Sequence, residues 1–317
     1  MAIASILVIG NRDISQSIIS ALAFPSENES APYRISVLTQ EGQTPYLPSH
    51  TAPRSVEHKT SDFTAASLER AFAGRDVIIS TVFGADYDLQ ASIINAAVAA
   101  GVKGFIPHEF GHDTINTKVQ RRISGGAERA KVIEHLRANR SIEWVAVAVG
   151  CVLDTALLAG NLGFDLEWQS SSINGSGEET FPAISLERVG VVIRRVIEHW
   201  ETIKNQYIYA TGVITSGNEL VASLERTTAS KWSIGHSEVY ECVREGESRV
   251  SRGFLDSGMF LLERSVLYDE ALHATEPFKD RSANKDLNLE PETVDGIVSK
   301  AYHEFNHRGK LGCGCGS

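Results

Sequence analysis

The sequence predicts a doubly wound α/β fold, a mostly parallel sheet wrapped by helices, followed by a smaller C-terminal substrate-binding region. Three observations carry the prediction. Residues 6–10 form a short apolar run that ends in glycine and leads directly into helical spacing. The alternation of strand-like and helix-like segments then continues to about residue 150. Residues 76–82 are the β-branched run expected of a strand buried on both faces of a parallel sheet.

Taken in order, residues 6–10 read as the first strand and residues 14–24 as the helix after it. Residues 25–32, rich in Ser, Glu, Asn and Pro, have the composition of a surface loop, and 34–39 form the second strand. A polar, Pro-containing stretch over 41–53 precedes a short strand near Val56, and 64–72 have the spacing of a helix that Gly74 ends. After the strand at 76–82, residues 89–100 form an Ala-rich helix stopped by Gly101, and 104–106 give the next strand. Residues 127–138 are a further helix and 144–149 a further strand. Residues 186–200 form a helix with Val189, Val192, Ile193, Val196 and Ile197 on its apolar face. This is a Rossmann-type unit, so a ligand is expected in the crevice at the carboxyl ends of its strands. It is assigned to residues 1–154, and residues 155–317, mixed and more polar, to a substrate-binding region partly interleaved with the main sheet.

Composition excludes several classes of function. The chain of 317 residues is 42% hydrophobic and 22% charged, ordinary globular usage that argues against disorder. Its longest apolar run, residues 144–153, is far shorter than the roughly 20 residues of a membrane span. A formal charge of -10 argues against nucleic acid, which demands clustered Lys and Arg. No basic leader or small-residue cleavage site is visible, and the four cysteines do not form a secreted disulfide framework, so a cytoplasmic location is expected. The pair Cys313 and Cys315 sits in a Gly-rich tail and is read as inert. The expected partners are a small-molecule substrate and, in a homodimer, a second copy of the chain.

Several stretches carry a resemblance: DVIISTV at 76–82, FIPHEFGHD at 105–113, Glu143-Trp144, GCVLD at 150–154, GFD at 163–165 and NQYIY at 205–209. In this order and spacing they resemble the NmrA-like and isoflavone-reductase-like proteins, an atypical short-chain reductase group, and most closely its fungal members. The resemblance implies a Rossmann-type domain with a small substrate domain, and reduction of aromatic or phenylpropanoid-like metabolites with NADPH.

The coenzyme positions depart from that pattern. Where the group has GxxGxxG, this chain reads GNRDISQ at 10–16, so only Gly10 remains and Asp13 and Gln16 replace the other two glycines. Glycine there lets the backbone approach a pyrophosphate, which the helix N-terminus then holds with its free N–H groups. Asp13 places a carboxylate in that spot, and either Asp13 or Ser15 can cap the helix instead. Arg12 offers a compensating charge. At the end of the next strand, VLTQ at 37–40, Gln40 stands where an arginine for the 2′-phosphate is implied, so the charge-assisted contact is missing. With Thr81 at the end of the 76–82 strand, the candidate coenzyme contacts are Gly10, Arg12, Asp13, Gln40 and Thr81. The cofactor expectation is none required, or NADP(H) held weakly.

The candidate catalytic residues are Arg129, His108, Glu109 and Lys131. Aligning RAKVIEHL at 129–136 puts Arg129 at the lysine of family reductases, with Lys131 about 200° further round the helix. Arginine cannot shuttle a proton but can hold an oxyanion or a carbonyl. His108 stands where relatives carry serine, and a histidine in the crevice can titrate near neutrality as acid or base, the alternative being a histidine hydrogen-bonded into the loop. The HExxH pattern at 108–112 is not read as zinc-binding, because that motif needs a helix and Pro107 and Gly111 mark a loop. No metal is expected. Trp144 and Trp168 are read as core or pocket-lining.

Three functions remain open at this stage. The first is a redox-neutral enzyme of secondary metabolism that cyclises or isomerises an apolar small molecule, for instance by Diels–Alder closure, using a pocket that only orients its substrate. The second is an NAD(P)H-dependent reductase of an aromatic or related metabolite. The third is a non-catalytic NmrA-like dinucleotide sensor. Loss of the coenzyme determinants places the redox-neutral enzyme narrowly first.

Overall fold

The computed structural model describes residues 3–23, 33–47 and 56–307. The loop expected at 25–32 and the cysteines at 313 and 315 lie outside these. The first half of the chain runs β1 (Ser5–Ile9), α1 (Asp13–Ala23), β2 (Arg34–Gln40), β3 (Val56–Ser61), α2 (Ala65–Phe72), β4 (Val77–Ser80), α3 (Tyr87–Ala99), β5 (Gly104–Ile106), α4 (Thr117–Arg122), α5 (Gly126–Ala138) and β6 (Glu143–Ala148). It continues through β7 (Cys151–Val152), α6 (Leu153–Leu158), β8 (Phe164–Asp165), β9 (Ser170–Asn174), β10 (Thr180–Ile184), α7 (Leu186–Glu198), α8 (Trp200–Ile203), β11 (Gln206–Tyr209) and β12 (Val213–Ser216). The last elements are α9 (Gly217–Thr228), β13 (Ser233–Ser237), α10 (Val239–Ser251), α11 (Leu255–Tyr268), α12 (Glu276–Asp280) and α13 (Val294–His307).

Seven strands form one parallel sheet in the order β11-β6-β5-β4-β1-β2-β3. The order reverses at β1, so β1 and β4 open a crevice at their carboxyl ends, the switch point where doubly wound sheets bind ligands. Each face carries its own core. Ile18, Ile19 and Leu22 of α1 meet Val189, Val192 and Val196 of α7 on one side. On the other, Leu68 and Phe72 of α2 pack with Ile93 and Ile94 of α3 and with Ile133 and Leu136 of α5. A third core, including Leu157, Phe181, Leu224 and Tyr268, binds the C-terminal elements together. The chain thus leaves the main sheet after β6, yet returns to it with α7 and β11.

Two expectations are corrected. The helix read over residues 186–200 breaks at His199, whose backbone (φ -106°, ψ 20°) ends α7 and lets α8 start at Trp200. That turn sends the indole over Gly104, where a Cβ would lie 2.6 Å from Cζ2, and its Nε1 donates to Glu143 Oε2 at 2.8 Å. Trp144 is buried as expected, but Trp168 is 77% exposed and lines no core. Asp165 accepts from the Trp168 backbone N–H, so a turn rather than burial of the indole fixes this residue.

The contact of α1 with α7 depends on a residue without a side chain. Gly190 of α7 lies against Ser17, whose carbonyl oxygen a Cβ at 190 would overlap, and Ser17 Oγ donates to the Leu186 carbonyl at 2.6 Å. Gly190→Ala is expected to lower stability by about 1–3 kcal/mol through overpacking. Gly111→Ala, which adds its methyl in open space, should cost much less. Urea unfolding midpoints of the two variants check the contrast.

Candidate functional site

The first cavity opens at the switch point. Gly10 follows β1 with φ +129° and donates its N–H to the Leu38 carbonyl at 2.9 Å. A Cβ there would overlap Thr81 Oγ1, which donates to the Ile9 carbonyl at 2.8 Å and closes the floor of the turn. Only glycine fits both constraints. Ser15 supplies the local cap: its Oγ accepts from Arg12 N–H at 2.9 Å and donates to the Arg12 carbonyl at 2.6 Å. Asp13 stays exposed in the first turn of α1, and Gln16 reaches away to the Leu47 carbonyl at 3.3 Å. Asn11, Arg12, Gln40, Gln43, Phe63 and Leu89 complete a cavity of about 390 Å³.

Whether this cleft suits a dinucleotide turns on two observations. Gly10 presents only backbone to the cavity, and Asn11 Oδ1 is buried with no hydrogen-bond partner. Both fit an extended ligand laid across the turn, and the apolar Leu38, Phe63 and Leu89 fit a flat ring. The replaced glycines alter the pyrophosphate end without filling the cavity.

A second cavity of about 280 Å³ lies beside the first. Phe83, 47% exposed, lines both. The loop after β5 contributes Phe110 and His112, α5 contributes Arg129, β7 contributes Cys151, and α11 contributes Met259, Phe260, Glu263 and Leu267. Arg129 sits in the first turn of α5, which Gly125 enters with φ +78°. Its Nη1 donates to the His108 carbonyl at 3.4 Å. Gly84 makes room for this approach, because a Cβ there would lie 2.7 Å from that carbonyl oxygen and 3.5 Å from Arg129 Nε.

Of the expected catalytic residues, Arg129 alone lines the second cavity. His108 packs edge-on to Phe110 at 5.7 Å, and its Nδ1 is buried without a partner. Burial first, then the charges of Arg129 and Arg12, pushes its pKa down to about 3. The expectation of a histidine titrating near neutrality is therefore corrected: this ring stays neutral. His112 is likewise pushed down to about 4 by burial and Arg129. Glu109 turns inward, where it is 1% exposed and accepts from Thr114 Oγ1 and from Tyr207 Oη at 3.3 Å. Burial raises its pKa, against the pull of Arg129 and the two hydroxyls. It anchors the loop from beneath rather than facing a ligand. Lys131 is exposed and paired with Glu128 at 2.7 Å, so α5 does not bring it to either cavity. The segment 108–112 is loop, without the helical backbone the HExxH chemistry needs.

Sequence reasoning passed over Phe83 and Glu263. A signal for the second exists: Met259, Phe260, Glu263, Arg264 and Leu267 recur at helical spacing, so a carboxylate and an arginine interrupt an apolar stripe. Cys151 faces the same cavity with its thiol pushed up to about 12 by burial, with Asp154 and Glu263 adding to the shift.

The two depressed histidines tie stability to pH. Between about 6.5 and their folded values the unfolded chain binds protons that the folded chain refuses, so stability is complete above about 6.5 and is lost as pH falls. Each contributes a slope of up to about 1.4 kcal/mol per pH unit in that window. Replacing His112 by Gln should flatten the stability profile between about pH 6 and pH 4 by roughly 1 kcal/mol per unit. Urea titrations across that range measure it, and an unchanged slope would show that His112 is protonated in the fold.

The comparisons with known proteins agree with this geometry. The model of the NmrA-like family matches residues 6–244. Oxidoreductase aprR of Aspergillus flavus is 28% identical over 303 residues, covering 94% of this chain and 98% of that protein. Oxidoreductase poxI of Penicillium oxalicum is 27% identical over 285 residues, covering 86% and 87%. Among solved structures, a ternary complex of leucoanthocyanidin reductase from Vitis vinifera superposes with a TM-score of 0.74 at 13% identity, covering 95% of this chain and all of that one. Isoflavone reductase gives 0.70 at 17%, covering 94% and 99%. With the sheet order, the glycine turn at the switch point and a family match over most of its length, the chain belongs to the NmrA-like family.

Proposed function

We propose that this protein is an oxidoreductase that holds a nicotinamide dinucleotide in the Gly10 cleft and reduces a carbonyl-bearing, apolar small molecule in the Arg129 cavity. One observation carries the reading: the two cavities share Phe83 as a common wall, so ligands in both would meet there. The names of the relatives support it, since aprR and poxI are oxidoreductases and the grape reductase was solved with NADPH.

In this reading Gly10, Asn11 and the start of α1 receive the pyrophosphate, and Arg12 supplies the positive charge that offsets Asp13. Gln40 and Gln43 face the ribose end. When bound, the reduced coenzyme supplies a hydride. Arg129 does the rest of the polar work by donating to the substrate oxygen. Its charge is permanent and its position is set by α5 and the His108 carbonyl, so little reorganisation is needed as charge grows on that oxygen. Phe83, Phe110, Met259 and Phe260 favour an apolar, preferably aromatic, substrate.

A second reading, redox-neutral cyclisation or isomerisation, is favoured by a specific observation at α1. Ser15 already satisfies the Arg12 N–H, and the Asp13 carboxylate lies in the turn where an anion would bind. Arg129 would then polarise a substrate oxygen in a cavity that acts by orientation. Product formation without coenzyme would favour this reading, whereas NADPH absorbance falling in step with product rules it out.

Two variants extend the test. Arg129→Ala is expected to lower turnover by roughly 10²–10³, as for loss of one oxyanion donor, and Arg129→Lys to retain a fraction. Gln40→Arg should raise NADPH affinity about tenfold relative to NADH by supplying the missing charge-assisted contact, a change of about 1.4 kcal/mol that calorimetric titration resolves. Equal gains for both coenzymes would place the 2′-phosphate elsewhere.

A further inference from the structure

An arginine in place of a lysine leaves the second cavity with a cation that never releases a proton, so protonation of a reduced carbonyl needs another group. Helix α11 supplies one. Met259, Phe260, Glu263, Arg264 and Leu267 of this helix line the cavity, and Glu263 makes no hydrogen bond or ion pair with any described residue. The carboxyl therefore has no hydrogen-bonded partner in the cavity that it lines together with Arg129 of α5.

The other titratable groups around the cavity do not compete for that role. His112, from the loop after β5, is neutral, and Cys151 of β7 keeps its hydrogen. Arg264, next along α11, turns its Nη2 to Cys242 Sγ at 3.7 Å. Arg129 is left as the charge that acts on Glu263. Burial raises the Glu263 pKa, and Arg129 only partly reverses the shift. A buried carboxylate without a partner is costly, whereas a protonated carboxyl is a donor in want of an acceptor.

We propose that Glu263 is the proton donor of this cavity, giving its carboxyl hydrogen to the substrate oxygen that Arg129 holds. The assignment rests on the reductase reading and balances as follows. Hydride from the reduced nicotinamide adds to the carbonyl carbon, the C=O π pair moves onto oxygen, and the coenzyme is left oxidised. The Glu263 O–H bond then breaks as the new substrate O–H bond forms, leaving an alcohol and a carboxylate. Water at the cavity mouth returns the proton to Glu263 after release.

Benzil, an apolar aromatic diketone, serves as the probe, with Glu263→Gln and Glu263→Asp as variants. Infrared difference spectra should show a protonated-carboxyl C=O band in the wild type at neutral pH that is absent from Glu263→Gln and shifts when benzil is added. In NADPH-driven benzil reduction, Glu263→Gln should lower kcat by about 10²–10⁴ with KM little changed, and Glu263→Asp should recover part of it. An ionised Glu263 at neutral pH, a band that benzil does not move, or wild-type turnover in Glu263→Gln would each overturn the assignment. If the wild type consumes no NADPH, the reductase reading fails by itself, and the infrared band still decides whether Glu263 carries a proton that a bound carbonyl contacts.

Discussion

One guanidinium orders the chemistry of this protein. Arg129, held against the His108 carbonyl through the gap that Gly84 leaves, is a positive charge that no ordinary pH removes. Burial dominates the protonation of its neighbours, but the arginine biases all of them in one direction. It adds to the depression of His108 and His112, and it opposes the rise of Glu109 and Glu263. The outcome is a site with neutral imidazoles, raised carboxyls and a fixed cation beside them. Such a site is suited to holding developing negative charge in a weakly solvated space.

The backbone delivers that arginine by a chain of close approaches. Reversal of strand order at β1 opens the crevice, and the Gly10 turn packed on Thr81 sets its floor. Beneath the His108 loop, Glu109 and Asp113 are tied to Tyr207 and Tyr209 of β11, a strand contributed by the later part of the chain. The loop is therefore fixed from below by buried hydrogen bonds and from the side by Arg129. Removing either support would move Phe110 and His112, which line the second cavity. This explains why the later chain cannot be treated as a separate cover: it supplies an edge strand of the main sheet, a helix on its face, and α11 on the second cavity.

How much of this was legible in the sequence depended on whether the determining contact was local. Strand and helix periods are local, so β1 to β6, α1 to α3 and α5 fall within a few residues of their expected positions, whereas the short α4 was not expected. The departure at His199 was not legible because it answers to a distant requirement, the space over Gly104 that Trp200 fills. The same distinction runs through the site. Gly10 and Arg129 could be placed from motif and helix spacing alone. Glu109 could not, since its inward turn depends on Tyr207, nearly a hundred residues later, and His108 looked like a physiological switch until burial and two arginines fixed its state. Glu263 left a trace, a carboxylate beside Arg264 in a mostly apolar stripe, but the trace gained meaning only when α11 was found lining the same cavity as Arg129 of α5.

The replacement of a proton-carrying lysine by arginine has a consequence for the whole cavity. A lysine at that position can orient a substrate and exchange a proton with it, whereas arginine performs only the first task, so a reductive cycle must draw its proton from a second side chain. Neutral His108 and His112 hold their remaining N–H too tightly to act as acids, and the Glu109 carboxyl faces the Tyr207 side of the loop. Cys151 is pushed further from ionisation. Separating the two tasks between two helices also separates their requirements: α5 needs only a rigid first turn, and α11 needs to bury one carboxyl away from a partner. A redox-neutral reaction would need only the first of these, so the presence of an unpaired carboxyl in the Arg129 cavity is the feature that inclines the architecture toward a reaction consuming a proton.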